Sequence, residues 1–389
     1  MHIRLLPLIA LVLVSLNLRP ALTSIAPLIE LIVADTGLSR AAVGLITTLP
    51  VLMMGIMAVV SPWLAARFGL ERCISAALAI LTLSLALRFW ANNPLVLLLT
   101  AIGIGVGIAI CGTLMAGFIK LRFNQRLGTI MPIYTLSITL GAAFGLVFTV
   151  PLLAYLQDWR WAMATWSLPV LLAWCVWQPL LPKQVNHIRT TAPKLPLNSI
   201  KAWIFTLLFA LQSGLFYSLT TWLVARYEEA GATLVQASHY ASLFMFAGLV
   251  GAFIAPALLR WLPKIYQLLI VMNSVVALSL MSITLWPMQL PWLVCVFSGM
   301  ALTGMFAISL TLPVQQTDTP IQAASLTSMM LTFGFCLGSL APAIVGVLRD
   351  RSDNYILPFS GLVVAALVMV LLSILFGCFE QSSNKNKVN

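Results

Sequence analysis

The chain has 389 residues, of which 61% are apolar and only 8% charged, with a formal net charge of +11. A soluble domain carries about a quarter charged residues, so these are too few to coat a water-facing surface, and lipid must cover most of the outside. The positive excess does not mark a nucleic-acid binder, because Lys and Arg stand singly between apolar stretches and no basic run is interleaved with aromatics. Cys73, Cys111, Cys175, Cys295, Cys336 and Cys378 lie far apart without metal-ligand or redox spacing, so they are expected to act as small hydrophobes. No metal or other cofactor is expected.

A spanning helix needs about 20 mostly apolar residues. In chain order, twelve such stretches are predicted at 5–34, 42–66, 73–90, 95–119, 128–155 and 161–181, then at 201–225, 237–259, 265–285, 291–315, 321–348 and 355–379. The first is too long for a signal peptide, lacks a small-residue cleavage site and leads straight into further spans. Connections are short except for 182–200, which is polar and twice broken by Pro. The expected architecture is therefore an all-α integral membrane protein. Its twelve transmembrane helices form two pseudo-symmetric six-helix bundles, 1–181 and 201–389, joined by a linker at 182–200.

Orientation follows from the distribution of Lys and Arg. With the N-terminus inside, fourteen of them fall on the inner loops, from Arg4 to Lys387, and six on the outer loops: Arg40, Arg88, Arg160, Arg226, Arg349 and Arg351. Asp35, Asp158, Glu228, Glu229, Asp350 and Asp353 also fall outside. Both termini and the linker are thus expected in the cytoplasm. One of the 21 basic residues, Arg19, has no place in a loop.

Arg19 sits near the middle of the first span, where an Arg costs about 2.5–3.5 kcal/mol on insertion scales. Such a residue should face the bundle interior, either as an anchor for a small anionic substrate or as a structural Arg bonded to neighbouring helices. Glu30 lies eleven residues on along nearly the same face, about 16 Å further out, too far for a direct pair in a straight helix. Pro20 and Pro27 each remove a backbone donor and favour kinks. Asn17, Thr23 and Ser24 could satisfy the freed carbonyls or line a cavity beside Arg19. Thr23 shares Arg19's face, whereas Asn17 lies off it and suits a helix–helix hydrogen bond.

The two halves echo each other at an offset of about 193 residues, pairing Gly37 with Gly231, Gly55 with Gly248, Pro62 with Pro256, Gly141 with Gly334 and Gly145 with Gly338. Both Gly-x-x-x-Gly pairs, Gly141/Gly145 and Gly334/Gly338, are expected to let two helix backbones approach closely. The seventh span is unusually polar, and Gln212 is the repeat counterpart of Arg19. A pseudo-two-fold axis would place both at the midplane on opposite sides of one cavity. Gln212 and Tyr217 could then complete an anion site with neutral donors, or simply tie helices together. Trp222 and Tyr134 are candidate wall or gate residues.

Between the second and third spans, the run from Pro62 to Arg72 resembles the loop motif of the major facilitator superfamily. Arg67, Gly69 and Arg72 fit it as gating residues, while Ala66 stands where the motif has Asp and Pro62 where it has Gly. The stretch from Leu16 to Ser24 is similar to the first-helix signature of the bacterial cyanate permease branch of that superfamily. Thr48-Leu49-Pro50, the segment from Phe118 to Phe123, Trp286-Pro287-Met288-Gln289-Leu290-Pro291, Ser339-Leu340-Ala341-Pro342 and Gly346-Val347-Leu348-Arg349 extend the similarity. The resemblance implies a monomeric small-solute porter of the bacterial inner membrane, working by alternating access, with cyanate or a related small anion as first substrate. Nitrate/nitrite porters carry an Arg in the second and eighth spans, and this chain has neither. The branch also contains proteins linked to nitroimidazoles, and efflux of drug-like organic compounds is the alternative. Its partners are the lipid bilayer and a small molecule, not nucleic acid. No His cluster or nucleophile–base set suggests an enzyme.

Overall fold

A computed structural model describes residues 5–91, 93–181, 195–258, 264–315, 317 and 320–388. Apolar sequence in lipid must satisfy its backbone internally, and the described chain is helical throughout its apolar stretches. The spans are α1 (Leu5–Thr36), α2 (Arg40–Phe68), α3 (Leu70–Trp90), α4 (Pro94–Phe123), α5 (Leu127–Leu156), α6 (159–180), α7 (Ile200–Glu229), α8 (Leu234–Leu258), α9 (Ile265–Leu285), α10 (Pro291–Gln315), α11 (320–352) and α12 (Ile356–Val388). Eleven of them contain helices long and apolar enough to cross a membrane. The predicted sixth span differs: α6 is built from Trp159–Ala164, Ser167–Trp177 and a 3-10 turn at Gln178–Leu180. Pro169 has no N–H for Thr165 O, which explains the break before Ser167. Twelve crossings are consistent with this arrangement.

Local chemistry sets several helix ends. The Ser39 and Ser199 side chains accept from the backbone N–H of Ala42 and Ala202 and start α2 and α7. Gly37 (φ 67°) and Gly231 (φ 98°), equivalent positions in the repeat, both turn the chain after the first helix of their half in a conformation that favours glycine. Of the predicted linker, residues 182–194 lie outside the described residues, and Leu195–Ser199 leads directly into α7.

The repeat is visible in packing. In the first half α1 packs on α5 and α6, α4 on α2 and α3, and α3 on α6. In the second half α7 packs on α11 and α12, α10 on α8 and α9, and α9 on α12. These are the same pairings shifted by six helices. The halves meet through α2 against α11, α5 against α8 and α1 against α7. Outward-facing side chains such as Leu83, Val364 and Leu371 are exposed, as a lipid-facing surface requires.

One end of the bundle, carrying the α1–α2 and α11–α12 connections, is tied across the halves. The backbone N–H groups of Arg40 and Ala41 donate to the Asp350 carboxylate at 3.0 and 2.9 Å. Tyr355 Oη donates to Glu30 Oε1 at 3.3 Å, and Arg40 forms an ion pair with Glu30 at 2.7 Å. Tyr355 is buried, and its phenol is held protonated well above its ordinary range by burial first and then by the Glu30 carboxylate. Glycine makes this closure possible. A Cβ on Gly44 would lie 2.9 Å from Pro342 O, and one on Gly346 would lie 2.5 Å from Arg40 O.

Candidate functional site

The centre of the molecule is the break in α1. Helix Leu5–Asn17 ends, Arg19 takes a non-ideal conformation (φ −115°, ψ −30°), and a single turn, Pro20–Thr23, follows before the helix resumes. Pro20 cannot donate to Leu16 O, so that carbonyl is free to lean outward. It leans onto α5: a Cβ on Gly141 would lie 2.0 Å from Leu16 O, and one on Gly145 would lie 2.1 Å from Thr23 Oγ1 and 2.9 Å from Pro20 Cα. The Gly141/Gly145 pair thus seats the broken segment. In the second half, a Cβ on Gly338 would lie 2.7 Å from Ala210 O, and one on Gly334 would lie 2.3 Å from the Phe209 ring.

Arg19 emerges from this break half-buried, toward α7. Its Nη1 donates to Tyr217 Oη at 3.0 Å, and its guanidinium lies over the Phe216 and Tyr217 rings, 5.8 and 5.6 Å from their centroids. Tyr217 Oη in turn contacts Met54 Sδ of α2 at 3.6 Å. Tyr134 of α5 sits within electrostatic reach of Arg19, its own hydroxyl 3.4 Å from Gly112 O. Among the described residues Arg19 has no carboxylate partner in an ion pair. A cation faced by aromatic rings and one phenol, at the junction of the halves, is suited to hold an anion or a planar π-system.

Other residues expected to line the cavity turn elsewhere. Gln212 does not face Arg19: it is buried, and its Nε2 donates to Leu302 O of α10 at 2.9 Å. The reason is rotational. α7 is continuous through this point, whereas α1 is broken at Arg19, so equal depth in the repeat does not give equal facing. Asn17 donates to Leu13 O at 2.8 Å and to Pro169 O of α6 at 3.1 Å, tying α1 to the bend in α6. The Thr23 hydroxyl bonds back to Arg19 O at 3.3 Å and packs on Gly145. Trp222 is fully buried and donates to Pro342 O of α11 at 2.9 Å, which makes it a brace inside the second half rather than a cavity wall.

The α2–α3 motif occupies a tight corner. Gly69 (φ 89°) ends one helix and starts the next, and the Arg67 guanidinium covers the Trp63 and Phe68 rings at 5.8 and 5.5 Å. Arg72 lies in the first turn of α3. Next to it, Glu71 pairs with Arg122 of α4 at 2.9 Å, and its carbonyl accepts from Trp177 Nε1 of α6 at 3.0 Å. Ala66 stands where the motif has Asp, and the ion pair found at this corner is Glu71–Arg122.

Two arginines assigned to outer loops are buried against neighbouring helices. Arg88 is fully buried at the end of α3, and its Nη1 donates to Ala21 O of α1 at 3.3 Å. Arg226 is buried at the end of α7, where its Nε and Nη2 cap the last carbonyls of α9, Ile283 O at 3.2 Å and Thr284 O at 2.8 Å. Their signal was present in the sequence: Arg88 is followed by Phe89-Trp90, so its span continues past the charge. Phe216 and Met54 were also missed, because aromatic and Met side chains in an apolar span carry no local mark of facing a charge.

Residues 10–342 match the family model described as Major Facilitator Superfamily. The chain belongs to the major facilitator superfamily. It is 32% identical to the cyanate transport protein CynX of Escherichia coli (strain K12), over 94% of this chain and 96% of that protein. It is 27% identical to the 2-nitroimidazole transporter of the same organism, over 94% and 93% of the two chains. Among solved structures, the nucleoside transporter NupG superposes with a TM-score of 0.78 at 15% identity, covering 95% of this chain and 99% of that one, which speaks for the fold alone. The chain is thus a multi-pass membrane transporter of this superfamily, similar in sequence to the cyanate transport protein.

Proposed function

We propose that this transporter carries a small monovalent anion, cyanate or a closely related pseudohalide, by alternating access, with Arg19 as the anion anchor. The observation that supports this most is the half-buried Arg19 guanidinium at the junction of the halves, hydrogen-bonded to Tyr217 and without a carboxylate partner among the described residues. A carboxylate would neutralise the site; its absence leaves the positive charge available to a ligand. Tyr217 is the second ligand group in this reading, since its O–H can turn from Met54 to the anion. Phe216 and Tyr134 form the walls. The 32% identity to a cyanate transport protein favours the same substrate class.

In the same proposal the halves are 1–181 and 201–389, with 182–200 linking them in the cytoplasm, both termini cytoplasmic, in the bacterial inner membrane as a monomer. The Glu30–Arg40–Tyr355–Asp350 cluster is then the outer gate, and the structure is closed on the outside. Rocking of one bundle against the other must break these cross-half bonds to expose Arg19 to the far side.

A second reading is export of planar organic compounds. The aromatic faces around Arg19 favour it, as does the similarity to a 2-nitroimidazole transporter. Uptake of radiolabelled cyanate, other small anions and a nitroimidazole into proteoliposomes separates the two. The anion reading expects cyanate uptake by wild type, lost in Arg19→Gln and partly kept in Arg19→Lys. Transport of the neutral compound alone, unaffected by Arg19→Gln, would leave the second reading standing.

A further inference from the structure

Arg19 is not the most deeply buried guanidinium in the protein. Arg88 is 0% exposed, and only its Nη1 has a protein partner, Ala21 O. Its Nε and Nη2 have none among the described residues, and it takes part in no ion pair there. Those two nitrogens share one edge of the guanidinium plane, the edge that grips an anion with two parallel N–H bonds. Three residues beyond Ala21, in the same broken stretch of α1, the Ser24 hydroxyl is also 0% exposed and unpartnered. Arg88 reaches Ala21 O of α1 from the end of α3, whereas Arg19 leaves α1 toward Tyr217 of α7. Arg88 therefore sits behind α1, away from the Tyr217 side.

A lone guanidinium in a protein interior costs several kcal/mol even after relaxation, and its unused donors add to the penalty. Arginine cannot relieve this by losing its proton. No described acid pairs with it, so among the described residues its charge is left uncompensated. We propose that Arg88, through its Nε/Nη2 edge, together with the Ala21–Ser24 stretch of α1, forms a second monovalent-anion site that holds a halide or pseudohalide behind the α1 break. The Ser24 O–H is a neutral donor that suits an anion. The Ala21 carbonyl keeps the third nitrogen and repels the anion toward the free edge. Full burial limits the occupant to one or a few atoms. Bound there, the ion neutralises Arg88 and fixes the segment from which Arg19 projects. This site does not depend on what Arg19 carries.

The test uses purified full-length protein with sodium chloride, bromide, cyanate or gluconate at equal ionic strength. Wild type should unfold several degrees higher in chloride or cyanate than in gluconate, because an ion that binds only the folded state stabilises it by mass action. Arg19→Gln should keep the chloride dependence and Arg88→Met should lose it, and any cyanate effect left in Arg88→Met belongs to Arg19. Stabilisation by chloride and cyanate alike indicates a resident halide site, whereas a cyanate-only effect that survives in Arg19→Gln and is lost in Arg88→Met indicates a second substrate site. Should Arg88→Met not fold, crystals of wild type grown in bromide decide the matter: an anomalous peak within hydrogen-bond reach of Arg88 Nε and Nη2 supports the site. Water alone at that edge in bromide-grown crystals would overturn the proposal. So would a chloride dependence that disappears in Arg19→Gln while surviving in Arg88→Met.

Discussion

Helices α1 and α7 hold equivalent places in the two halves, yet one is broken at its centre and the other is continuous. α1 carries Pro20 and Pro27, rests its freed Leu16 carbonyl on Gly141 and projects Arg19 between the halves. α7 carries no Pro, directs Gln212 and Trp222 into its own half, and offers only Phe216 and Tyr217 to Arg19. Pseudo-symmetry therefore sets depth and packing partners, while the break sets which way a polar side chain points. The charge lives in the half whose helix is interrupted, and the aromatic wall comes from the half whose helix is not.

This asymmetry can be broken experimentally. The largest effect is expected from moving the charge. The double substitution Arg19→Gln with Gln212→Arg conserves composition but points the cation at Leu302 O in the second half. Transport in proteoliposomes should fall by about a hundredfold or more and not recover, since losing a buried charged contact costs about 2–5 kcal/mol. Recovery would mean that the two positions are functionally equivalent after all.

Next come the glycines under each helix. Gly141→Ala meets a backbone carbonyl that cannot move away, so thermal unfolding should report a loss of about 1–3 kcal/mol. Gly334→Ala meets the Phe209 ring, which can turn, and should cost less than about 1 kcal/mol. Equal losses would indicate that the α1 break gives no special closeness. Tyr217→Phe removes the single hydrogen bond seen between α7 and Arg19. Apparent substrate affinity should weaken about tenfold with little change in expression. The smallest effect belongs to Gln212→Leu, which should lower stability by about 1 kcal/mol and leave KM within about twofold.

Much of this architecture was legible before any coordinates. Span positions follow from hydropathy, and the matching helix pairings of the repeat follow from a constant offset, which are properties of single helices and their order. Features that depend on how a helix is rotated were not legible. Gln212 reads as Arg19's partner on depth alone, and only the break in α1 shows that their facings differ. Arg88 and Arg226 read as loop residues because hydropathy places a charge near a span end in water, whereas neighbouring helices bury both. The bend in α6 was written in Pro169, but Asn17's bond to Pro169 O is a tertiary fact.

The central claim is that Arg19 is where the anion binds. Equilibrium binding of labelled cyanate to purified wild type, Arg19→Lys and Arg19→Gln tests it without the complications of coupling or direction. The account expects a saturable component in wild type that weakens in Arg19→Lys and is lost in Arg19→Gln at matched folding, whatever cyanate the Arg88 site retains. An Arg19→Gln binding curve with the affinity and stoichiometry of wild type would contradict it.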